Sequence, residues 1–345
     1  MGDASRGAWA DRAWASWEAF GRACVAGRGS GLRAHEPGSR RRVAAWPLSQ
    51  VLWCASTLNA LAAASGAKNP GDPGRHTIDV DAWWLALQWY RSGQGYVDHR
   101  PRGQRYYDDN AWLGLVAAQQ ALLTGAERWW ARAGQVARFV AEGTTESGAV
   151  CWVEGGDTLN ACSTGSAAVL FDALARQAPG LPPADRARFA AQAHAARAFL
   201  QGPLLRSDGL VADHVRPDGT VEPSVWAYNQ ALLLHVESRR GEDEAAATVA
   251  AAVEHGMPAP VMARQPAVFA CIWWRALLAH RAREGATRVP EVAQYLQLAW
   301  DRGRDARGLF RGVTRYDAGV VLDHVSLTGL MAAYAAGPSA WESLL

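Results

Sequence analysis

Two consecutive aspartates are the residues of this sequence whose types and spacing best suit catalysis. Asp108 and Asp109 follow two tyrosines and precede Asn110, at the predicted start of a helix. One carboxylate at such a start is explained by capping of free N–H groups and by the helix dipole. Two adjacent carboxylates are explained less well. Adjacent first-turn residues diverge by roughly 100° around the helix axis, and carboxyl groups about 5–6 Å apart are the arrangement of retaining glycosidases.

Electrostatics would give the two carboxyl groups different roles. The positive end of the helix dipole favours the ionised form of one aspartate, which then serves as a nucleophile. Its negative charge raises the pKa of the neighbouring carboxyl group, which can then donate a proton and later accept one. We therefore predict that Asp108 and Asp109 form a catalytic pair acting on a glycosidic bond.

Aromatic and amide side chains recur at predicted helix starts that follow long loops. Rings that stack on sugar faces and amides that bond to sugar hydroxyls would together form a carbohydrate site. The candidate rings are Tyr107, Trp112, Trp152, Trp226 and Tyr228, and the candidate amides are Asn110, Asn160, Asn229 and Gln230.

Two histidines on long-loop segments each follow an aspartate. His214 follows Asp213, and His324 follows Asp323. No Ser/His/Asp triad is indicated because no serine lies in a GxSxG turn, and neither histidine has partners at metal-ligand spacing. We keep His214, Asp323 and His324 as candidate sugar contacts.

Helical periodicity continues along the whole sequence, whereas strand patterns are weak. Short connections alternate with long ones, so antiparallel helices would place all long loops at one end. This pattern predicts an all-α (α/α)6 barrel whose site lies at the long-loop end, rather than an open solenoid of similar repeats. The predicted helices are 7–26, 46–65, 79–92, 108–124, 126–142, 157–178, 183–200, 223–239, 242–255, 264–283, 289–302 and 321–337.

Residues that typically begin or end helices support some of these predicted boundaries. Asp108 and Asp157 lie where N-caps are expected, and Pro223 lies in a predicted first turn. Gly125 follows a predicted helix end. The segment RPDG at positions 216–219 predicts a tight turn between short strands.

Composition narrows the class of protein and of partner. The 345 residues are 49% hydrophobic, which excludes a disordered chain, and no linker divides them, so we expect one domain over residues 1–345. A formal net charge of +2 without a basic block indicates no nucleic-acid partner. No stretch of about 18 apolar residues could span a membrane. Most of the 17 tryptophans are expected in the packing between helices.

Targeting and cysteine patterns bear on the compartment. The first residues do not resemble a signal peptide, so we expect a cytoplasmic protein, with a trimmed secreted form as the alternative. The five scattered cysteines suit reduced thiols rather than a disulfide framework or a zinc site. No cofactor or metal is indicated, and the oligomeric state stays open.

Three segments together resemble the glycoside hydrolases of family 76, in the order found in that family. They are YYDDNAWLGL at Tyr106–Leu115, GAVCWVEGG with the downstream LNACSTG at Leu159–Gly165, and VWAYNQ at Val225–Gln230. The resemblance implies a retaining, endo-acting α-1,6-mannanase with an (α/α)6 fold and an oligosaccharide or mannan substrate. It also implies that Asp108 is the nucleophile and Asp109 the general acid/base.

Two other functions stay open. A cytosolic sugar epimerase or isomerase of the (α/α)6 type would need two histidines as acid and base, and His214 with His324 is the candidate couple. A non-catalytic glycan-binding protein would keep the aromatic residues and tolerate the loss of either aspartate. An unsaturated glucuronyl hydrolase would need basic residues for a uronate, and the sequence specifies none.

Overall fold

A computed structural model of the chain describes residues 3–65, 77–311 and 319–345. The described residues form two compact units: Met1–Trp89 with Ala263–Leu344 (unit 1), and Tyr90–Met262 with Leu345 (unit 2). A single domain over residues 1–345 stays a prediction. Among the helices of the described ranges, none is both long and apolar enough to cross a membrane.

Within these ranges the chain is mostly helical, as predicted. The helices are α1 (Asp3–Cys24), α2 (Ala45–Ala64), α3 (Val80–Leu87), α4 (Tyr107–Thr124), α5 (Glu127–Glu142), α6 (Ala161–Gln177), α7 (Pro183–Gln201), α8 (Ala227–Arg240), α9 (Asp243–Gly256), α10 (Ala259–Met262), α11 (Ala267–Arg283), α12 (Pro290–Arg302), α13 (Val320–Ala336) and α14 (Pro338–Trp341). The strands are β1 (Val25–Ala26), β2 (Arg33–Ala34), β3 (Arg91–Ser92), β4 (Gly95–Tyr96), β5 (Leu159–Asn160), β6 (His214–Val215) and β7 (Val221–Glu222).

Each of the twelve predicted helices has its counterpart, and α10 and α14 are four-residue additions. The corrections concern mainly helix starts. Helix α6 begins at Ala161 rather than at 157, because Asn160 pairs with His214 in the antiparallel β5–β6 ladder. Asp157 is therefore a loop residue and not an N-cap. Asp108 is not an N-cap either, because α4 begins at Tyr107 and its N-cap residue is Tyr106. Pro223 likewise precedes α8 by four residues and is not in its first turn.

Unit 1 is organised around α13. This helix packs against α1, α2 and α11, and it is buried at every position from Val321 to Tyr334. A helix that is apolar and buried all round lies inside its unit. Strands β1 and β2 form a short antiparallel hairpin after α1.

Unit 2 consists of three helical hairpins, α4–α5, α6–α7 and α8–α9, with α6 packed against both α4 and α8. Helix α6 is buried at every position from Ala161 to Leu174. Helix α7 buries one face only, through Phe189, Ala193, Ala196, Phe199 and Leu200. Helices α4, α6 and α8 are thus the inner layer of unit 2, and α5, α7 and α9 form its outer layer.

Two glycines set the spacing of the inner helices. A Cβ on Gly114 of α4 would lie 2.5 Å from Leu170 of α6, and one on Gly165 of α6 would lie 2.7 Å from Leu232 of α8. Both contacts are far shorter than van der Waals distance, so these helices approach as closely as their backbones allow. Their first turns are consequently neighbours.

Small hairpins recur after the outer helices. Each of these hairpins is closed by one antiparallel β-bridge: Thr144↔Val150, Leu205↔Val211 or Arg304↔Phe310. Each turn contains a glycine at positive φ, namely Gly148, Gly209 or Gly308. The corresponding sequences ESGAV, SDGLV and ARGLF share a glycine followed by two apolar residues. The RPDG segment forms the predicted turn between β6 and β7, where the Gly219 N–H donates to the Arg216 carbonyl at 2.9 Å.

Candidate active site

The second residues of the three inner helices of unit 2 influence one another electrostatically. These residues are Asp108 of α4, Cys162 of α6 and Tyr228 of α8. Burial and then the charge of Asp108 raise the pKa of Cys162, and burial, Cys162 and Asp108 raise the pKa of Tyr228. Three helices thus place one polar side chain each at the same point.

Asp108 lies among hydrogen-bond donors. Trp152 Nε1 donates to Asp108 Oδ2 at 3.2 Å. Burial raises the pKa of Asp108 to about 6, and the polar groups of Cys162, the Asp109 backbone and Trp152 limit the rise because they stabilise the ionised form. Oδ1 is shielded from solvent and receives no well-aligned hydrogen bond from any described residue.

The groups around Asp109 favour its protonated form. Burial, the charge of Asp108 and the charge of Asp98 together raise the pKa of Asp109 well above its usual range. Two carboxylates this strongly coupled lose their protons in successive steps that belong to the pair. The surroundings favour the protonated form at Asp109, whereas the hydrogen bond from Trp152 favours the ionised form at Asp108. The separation of 5–6 Å between the carboxyl groups stays a prediction.

Trp152 presents an accessible ring beside this pair. The residue is 42% exposed, and its ring lies 5.0 Å from that of Tyr106 at an interplanar angle of 54°. Backbone hydrogen bonds to Tyr107 at 2.8 Å and Thr158 at 3.2 Å fix the segment that carries it. The predicted ring platform at Trp152 thus lies in direct contact with Asp108.

A second polar cluster lies on the β5–β6 ladder. Asp213 Oδ2 lies 3.0 Å from His214 Nδ1, and Asn229 Nδ2 is 3.5 Å from Asp213 Oδ1. The Oδ1 atoms of Asn160 and Asn229 are buried and bond to no described residue. Asn229 is fully buried and Asn160 is 8% exposed, so Asn229, like Asn110 and Gln230, has no free surface for a sugar.

The charge of Asp213 in this cluster also acts on Cys162 and Tyr228, in the first turns of α6 and α8. After burial and the nearer groups, the negative charge of Asp213 adds to the raised pKa values of Cys162 and Tyr228. Asp213, Cys162, Tyr228 and Asp108 therefore belong to one polar region of unit 2. Trp226 is half-buried just before α8, and its carbonyl accepts from Gln230 Nε2 at 3.2 Å.

Two predicted sugar contacts are backbone clamps. Asn110 Oδ1 accepts from the Tyr96 N–H at 2.8 Å, and Asn110 Nδ2 donates to the Tyr96 carbonyl at 2.9 Å. Gln230 holds Val211 in the same way, at 2.7 and 2.9 Å. Both are fully buried and both are the fourth residue of their helix. They hold the incoming loops in register and have no free surface for a sugar.

Two predicted rings are also framework residues. Tyr107 is 6% exposed and stacks on Phe139 at 5.1 Å, and Trp112 is 2% exposed. Neither presents a face to solvent, so neither can serve as a platform in this conformation.

His324 and Asp323 lie in unit 1, in the buried inner helix α13. The Phe310 N–H donates to His324 Nδ1 at 3.1 Å, and His324 Nε2 lies 2.8 Å from the Ser16 carbonyl. Burial lowers the pKa of His324 to about 4. Because both ring nitrogens contact backbone groups, His324 has a structural role, which corrects its selection as a sugar contact. Asp323 is 4% exposed.

The sequence analysis missed one residue of the site and gave two others too small a role. Cys162 was counted only as a reduced thiol, and Asp213 only as the neighbour of His214. Asp98 was not considered, although its charge acts on Asp109. A usable signal existed, since Asp98 and Asp213 both belong to Asp-His pairs in long loops. For Cys162 the signal was its place in the first turn of α6, which the misplaced helix start concealed.

No metal site is apparent in the described part of the chain, where no three His, Cys, Asp or Glu side chains are grouped as ligands. The absence of a cofactor stays a prediction.

The comparisons with known proteins agree with this geometry. Residues 75–238 match the family model of glycosyl hydrolase family 76, and no curated protein matches the chain. A family 76 mannosidase of Bacteroides thetaiotaomicron is 19% identical, with a TM-score of 0.78 over 95% of this chain and 98% of that one. An α-1,6-mannanase of Salegentibacter is 18% identical, with a TM-score of 0.68 over 95% and 99%.

That second structure is an inactive variant with two consecutive aspartates replaced by asparagine, in complex with α-1,6-mannotriose. A D-mannose isomerase is 12% identical, with a TM-score of 0.58 over 96% of this chain and 97% of that one. Identities this low establish the fold alone. The likeness to family 76 structures confirms the predicted all-α (α/α)6 fold class.

Proposed function

We propose that this chain, whose residues 75–238 match the family model of glycosyl hydrolase family 76, hydrolyses α-mannosidic bonds, chiefly α-1,6 linkages, with retention of configuration. Asp108 is the nucleophile and Asp109 the general acid/base. The substrate is a mannooligosaccharide or a mannan, bound across the face of unit 2 that carries Trp152.

The observation that carries this proposal is the unequal environment of the two carboxyl groups. Asp108 receives a hydrogen bond from Trp152, which favours its ionised form. Asp109 experiences burial and two negative neighbours, Asp108 and Asp98, which favour its protonated form. A retaining glycosidase needs one carboxylate and one carboxylic acid at the start of its cycle.

The two residues would act in two steps. The Asp109 proton moves to the glycosidic oxygen as Asp108 attacks the anomeric carbon, so that the leaving sugar departs as an alcohol and a glycosyl ester forms. Asp109, now a carboxylate, takes a proton from water as that water attacks the anomeric carbon. The ester bond breaks, and Asp108 returns to its carboxylate form.

The related mannanase gives independent support. It is inactive when two consecutive aspartates are replaced, and the present sequence has two consecutive aspartates at one place only, Asp108–Asp109. The mannotriose bound to that protein also makes an α-1,6-linked mannooligosaccharide the first substrate to test. The near-neutral composition is compatible with an uncharged sugar.

The isomerase alternative depends on a pair of histidines. His324 is fully buried, and both of its ring nitrogens contact backbone groups. It therefore has no lone pair or proton to offer a substrate, and we favour hydrolysis although the fold also resembles that of a D-mannose isomerase.

The test follows the products of α-1,6-mannotetraose by NMR from the first turnover. We expect the α-anomer to appear first, with losses of about 10²–10⁴-fold in Asp108→Asn and Asp109→Asn. Asp208→Asn, at an exposed hairpin carboxylate, is the matched control and should keep full activity.

A substrate with an activated aryl leaving group separates the two roles. It needs no acid, so Asp109→Ala should cleave it and form the α-mannosyl azide when azide is added, whereas Asp108→Ala could form only the β-azide, by direct attack of azide on the anomeric carbon. A β-anomer as first product of the wild type would refute retention, and an α-azide from Asp108→Ala with a β-azide from Asp109→Ala would reverse the assignment. No turnover of any α-mannoside by the wild type would overturn the proposal itself.

A further inference from the structure

Tyr106 and Trp152 form a pair of rings beside the candidate catalytic residues. The ring centroids are 5.0 Å apart and the ring planes are inclined at 54°, so the rings meet at an angle instead of lying face to face. Trp152 is 42% exposed and Tyr106 is half-buried. Since each ring keeps accessible surface, the pair can contact two sugars of one chain, one on each ring.

The backbone holds the two rings at this angle. Tyr106 and Val153 form an antiparallel β-bridge, and the Glu154 N–H donates to the Arg105 carbonyl at 3.0 Å. The Arg105 guanidinium also binds the Glu154 carboxylate through two hydrogen bonds, at 2.8 and 2.5 Å. The rings are therefore in place before a ligand arrives, which lowers the entropic cost of binding.

The two rings lie towards different members of the carboxylate pair. Trp152 Nε1 donates to Asp108 Oδ2 at 3.2 Å. Tyr106 is the N-cap residue of α4, and Asp109 is the third residue of that helix. Side chains at these two positions lie on the same side of a helix start. Trp152 is thus beside the proposed nucleophile, and Tyr106 is on the side of the proposed acid/base.

Hydrogen bonds place the Tyr106 hydroxyl on the same side. The hydroxyl donates to Gln104 Oε1 at 2.9 Å, and the Gln104 N–H donates to Asp98 Oδ1 at 2.8 Å. Asp98 is the carboxylate whose charge acts on Asp109. In agreement, burial and then the charges of Asp98 and Asp109 raise the pKa of Tyr106, and the charge of Asp108 contributes less.

We propose that Tyr106 is a specificity-determining residue that stacks on the leaving-group sugar, with Trp152 next to it on the glycone side. The glycosidic oxygen receives its proton from Asp109, so the sugar that departs must lie on the Asp109 side of the scissile bond. Its ligand is a neutral hexopyranose. This inference rests on the proposed function, because it takes Asp109 as the general acid/base.

The first experiment compares two substrates with different leaving groups. One is α-1,6-mannotetraose, and the other is α-1,6-mannobiosyl fluoride, which has no sugar beyond the scissile bond. In Tyr106→Ala, kcat/KM should fall about tenfold on the tetraose, as expected for the loss of a stacking ring, but less than about twofold on the fluoride. Tyr106→Phe keeps the ring and should recover most of the loss. Equal losses on both substrates would mean that Tyr106 only supports Trp152, and would overturn the proposal.

Two further variants complete this comparison. Trp152→Ala should lower kcat/KM on both substrates, because Trp152 contacts Asp108. Trp89→Ala removes a 53% exposed ring from unit 1 and is the matched control; it should change neither. A loss in Trp89→Ala equal to that in Tyr106→Ala would contradict the proposal. Activity on the fluoride also reports the folded fraction, so misfolding cannot imitate the expected result.

Transfer to an added sugar is a second readout of the leaving-group side. The glycosyl ester at Asp108 can be attacked by water or by a hydroxyl of methyl α-mannoside. In either case Asp109 takes the proton of the attacking group, and the bond between the anomeric carbon and Asp108 breaks. Tyr106→Ala should lower the ratio of transfer to hydrolysis about tenfold, since only transfer needs a sugar at Tyr106. An unchanged ratio would refute the role of Tyr106.

Equilibrium binding keeps the two proposals distinguishable because it needs no turnover. Calorimetry compares the binding of α-1,6-mannotetraose to Asp109→Asn with its binding to Asp109→Asn/Tyr106→Ala. The dissociation constant should be about tenfold higher without the Tyr106 ring. Equal constants would refute the role of Tyr106 alone, whereas the expected rise in a protein whose wild type hydrolyses no α-mannoside would refute only the proposed function.

Discussion

The indole N–H of Trp152 donates to Asp108 Oδ2 at 3.2 Å, although 42% of the Trp152 surface is exposed. One side chain therefore has two functions that substitution can separate. Its nitrogen orients and stabilises the candidate nucleophile, and its ring face is open to a sugar. Hydrogen bonds to a charged group typically contribute about 1.5–3 kcal/mol, so the donor affects catalysis measurably.

We expect Trp152→Phe to keep the ring and lose the donor. The pKa of Asp108 should rise because a group that stabilises the carboxylate is gone, so the acidic limb of kcat should move to higher pH with KM nearly unchanged. Trp152→Ala should in addition raise KM. Steady-state kinetics on a mannooligosaccharide between about pH 4 and 8 measures both.

Trp89→Phe and Trp89→Ala are the matched controls. Trp89 is a 53% exposed tryptophan of unit 1 whose ring lies 4.9 Å from the Arg42 guanidinium. These variants should leave KM and both the acidic and the alkaline limb of the pH profile of kcat unchanged. Equal acidic limbs in wild type and Trp152→Phe would show that the indole N–H does not influence Asp108.

Asp98→Asn should affect the alkaline limb of the pH profile of kcat, which reports the pKa of Asp109. The charge of Asp98 helps to keep the pKa of Asp109 high, after burial and Asp108. Removing that charge lowers the pKa of the acid, so the alkaline limb should move to lower pH by a few tenths of a unit. Asparagine can still accept the Gln104 N–H at Oδ1, where Asp98 accepts it at 2.8 Å. Asp208→Asn should leave the limb in place, and a shift to higher pH in Asp98→Asn would contradict the electrostatic interpretation.

The fold could be predicted from the sequence because helix burial follows periodicity over many residues. The twelve long helices emerged in this way, whereas the starts of α6 and α8 did not. Leu159 and Asn160 continue the apolar pattern of α6, yet they pair with β6 strand residues more than fifty positions downstream. A local pattern carries no information about such a distant partner.

The candidate site was predictable in its centre and less so around it. Asp108 and Asp109 are two adjacent carboxylates at a predicted helix start, and Trp152 is an aromatic residue in a long loop. Asn110 and Gln230 share the same polar, helix-start character, but their amides clamp Tyr96 and Val211 backbone groups instead. Residue type alone cannot distinguish an amide that faces a ligand from one that holds a loop.

Asp109→Asn should stabilise the fold, and more so at higher pH. In the unfolded chain an aspartate ionises near pH 4, whereas the pKa of Asp109 in the folded chain is well above that value. Between the two pKa values the folded state binds more protons, so the free energy of unfolding falls as pH rises. Asparagine does not ionise, so Asp109→Asn removes this fall in the free energy of unfolding.

Thermal denaturation at about pH 4 and about pH 8 measures the effect. The difference in Tm between Asp109→Asn and wild type should be small at the lower pH and positive at the higher one. Asp208→Asn should show the opposite sign with a smaller amplitude, since Arg206 lowers the pKa of the exposed Asp208. A Tm difference for Asp109→Asn that does not change with pH would mean that its carboxyl group is not perturbed by folding.

Asn110→Ala should reduce both stability and activity, although Asn110 need not touch a substrate. The substitution leaves the Tyr96 N–H and carbonyl without their side-chain partner in a buried position, at a cost of about 2–4 kcal/mol in unfolding free energy. It also releases the loop that carries Asp98 and Tyr106, so kcat should fall in the fraction that remains folded.

Asn59→Ala separates the two effects. Asn59 clamps Ile78 in unit 1 through the same pair of hydrogen bonds, at 2.8 and 2.9 Å. Chemical denaturation should show destabilisation in both variants, smaller in Asn59→Ala because Asn59 is half-buried. Only Asn110→Ala should lose kcat below its unfolding transition. Equal kcat in the two variants would mean that the clamp at Tyr96 stabilises the fold without positioning the site.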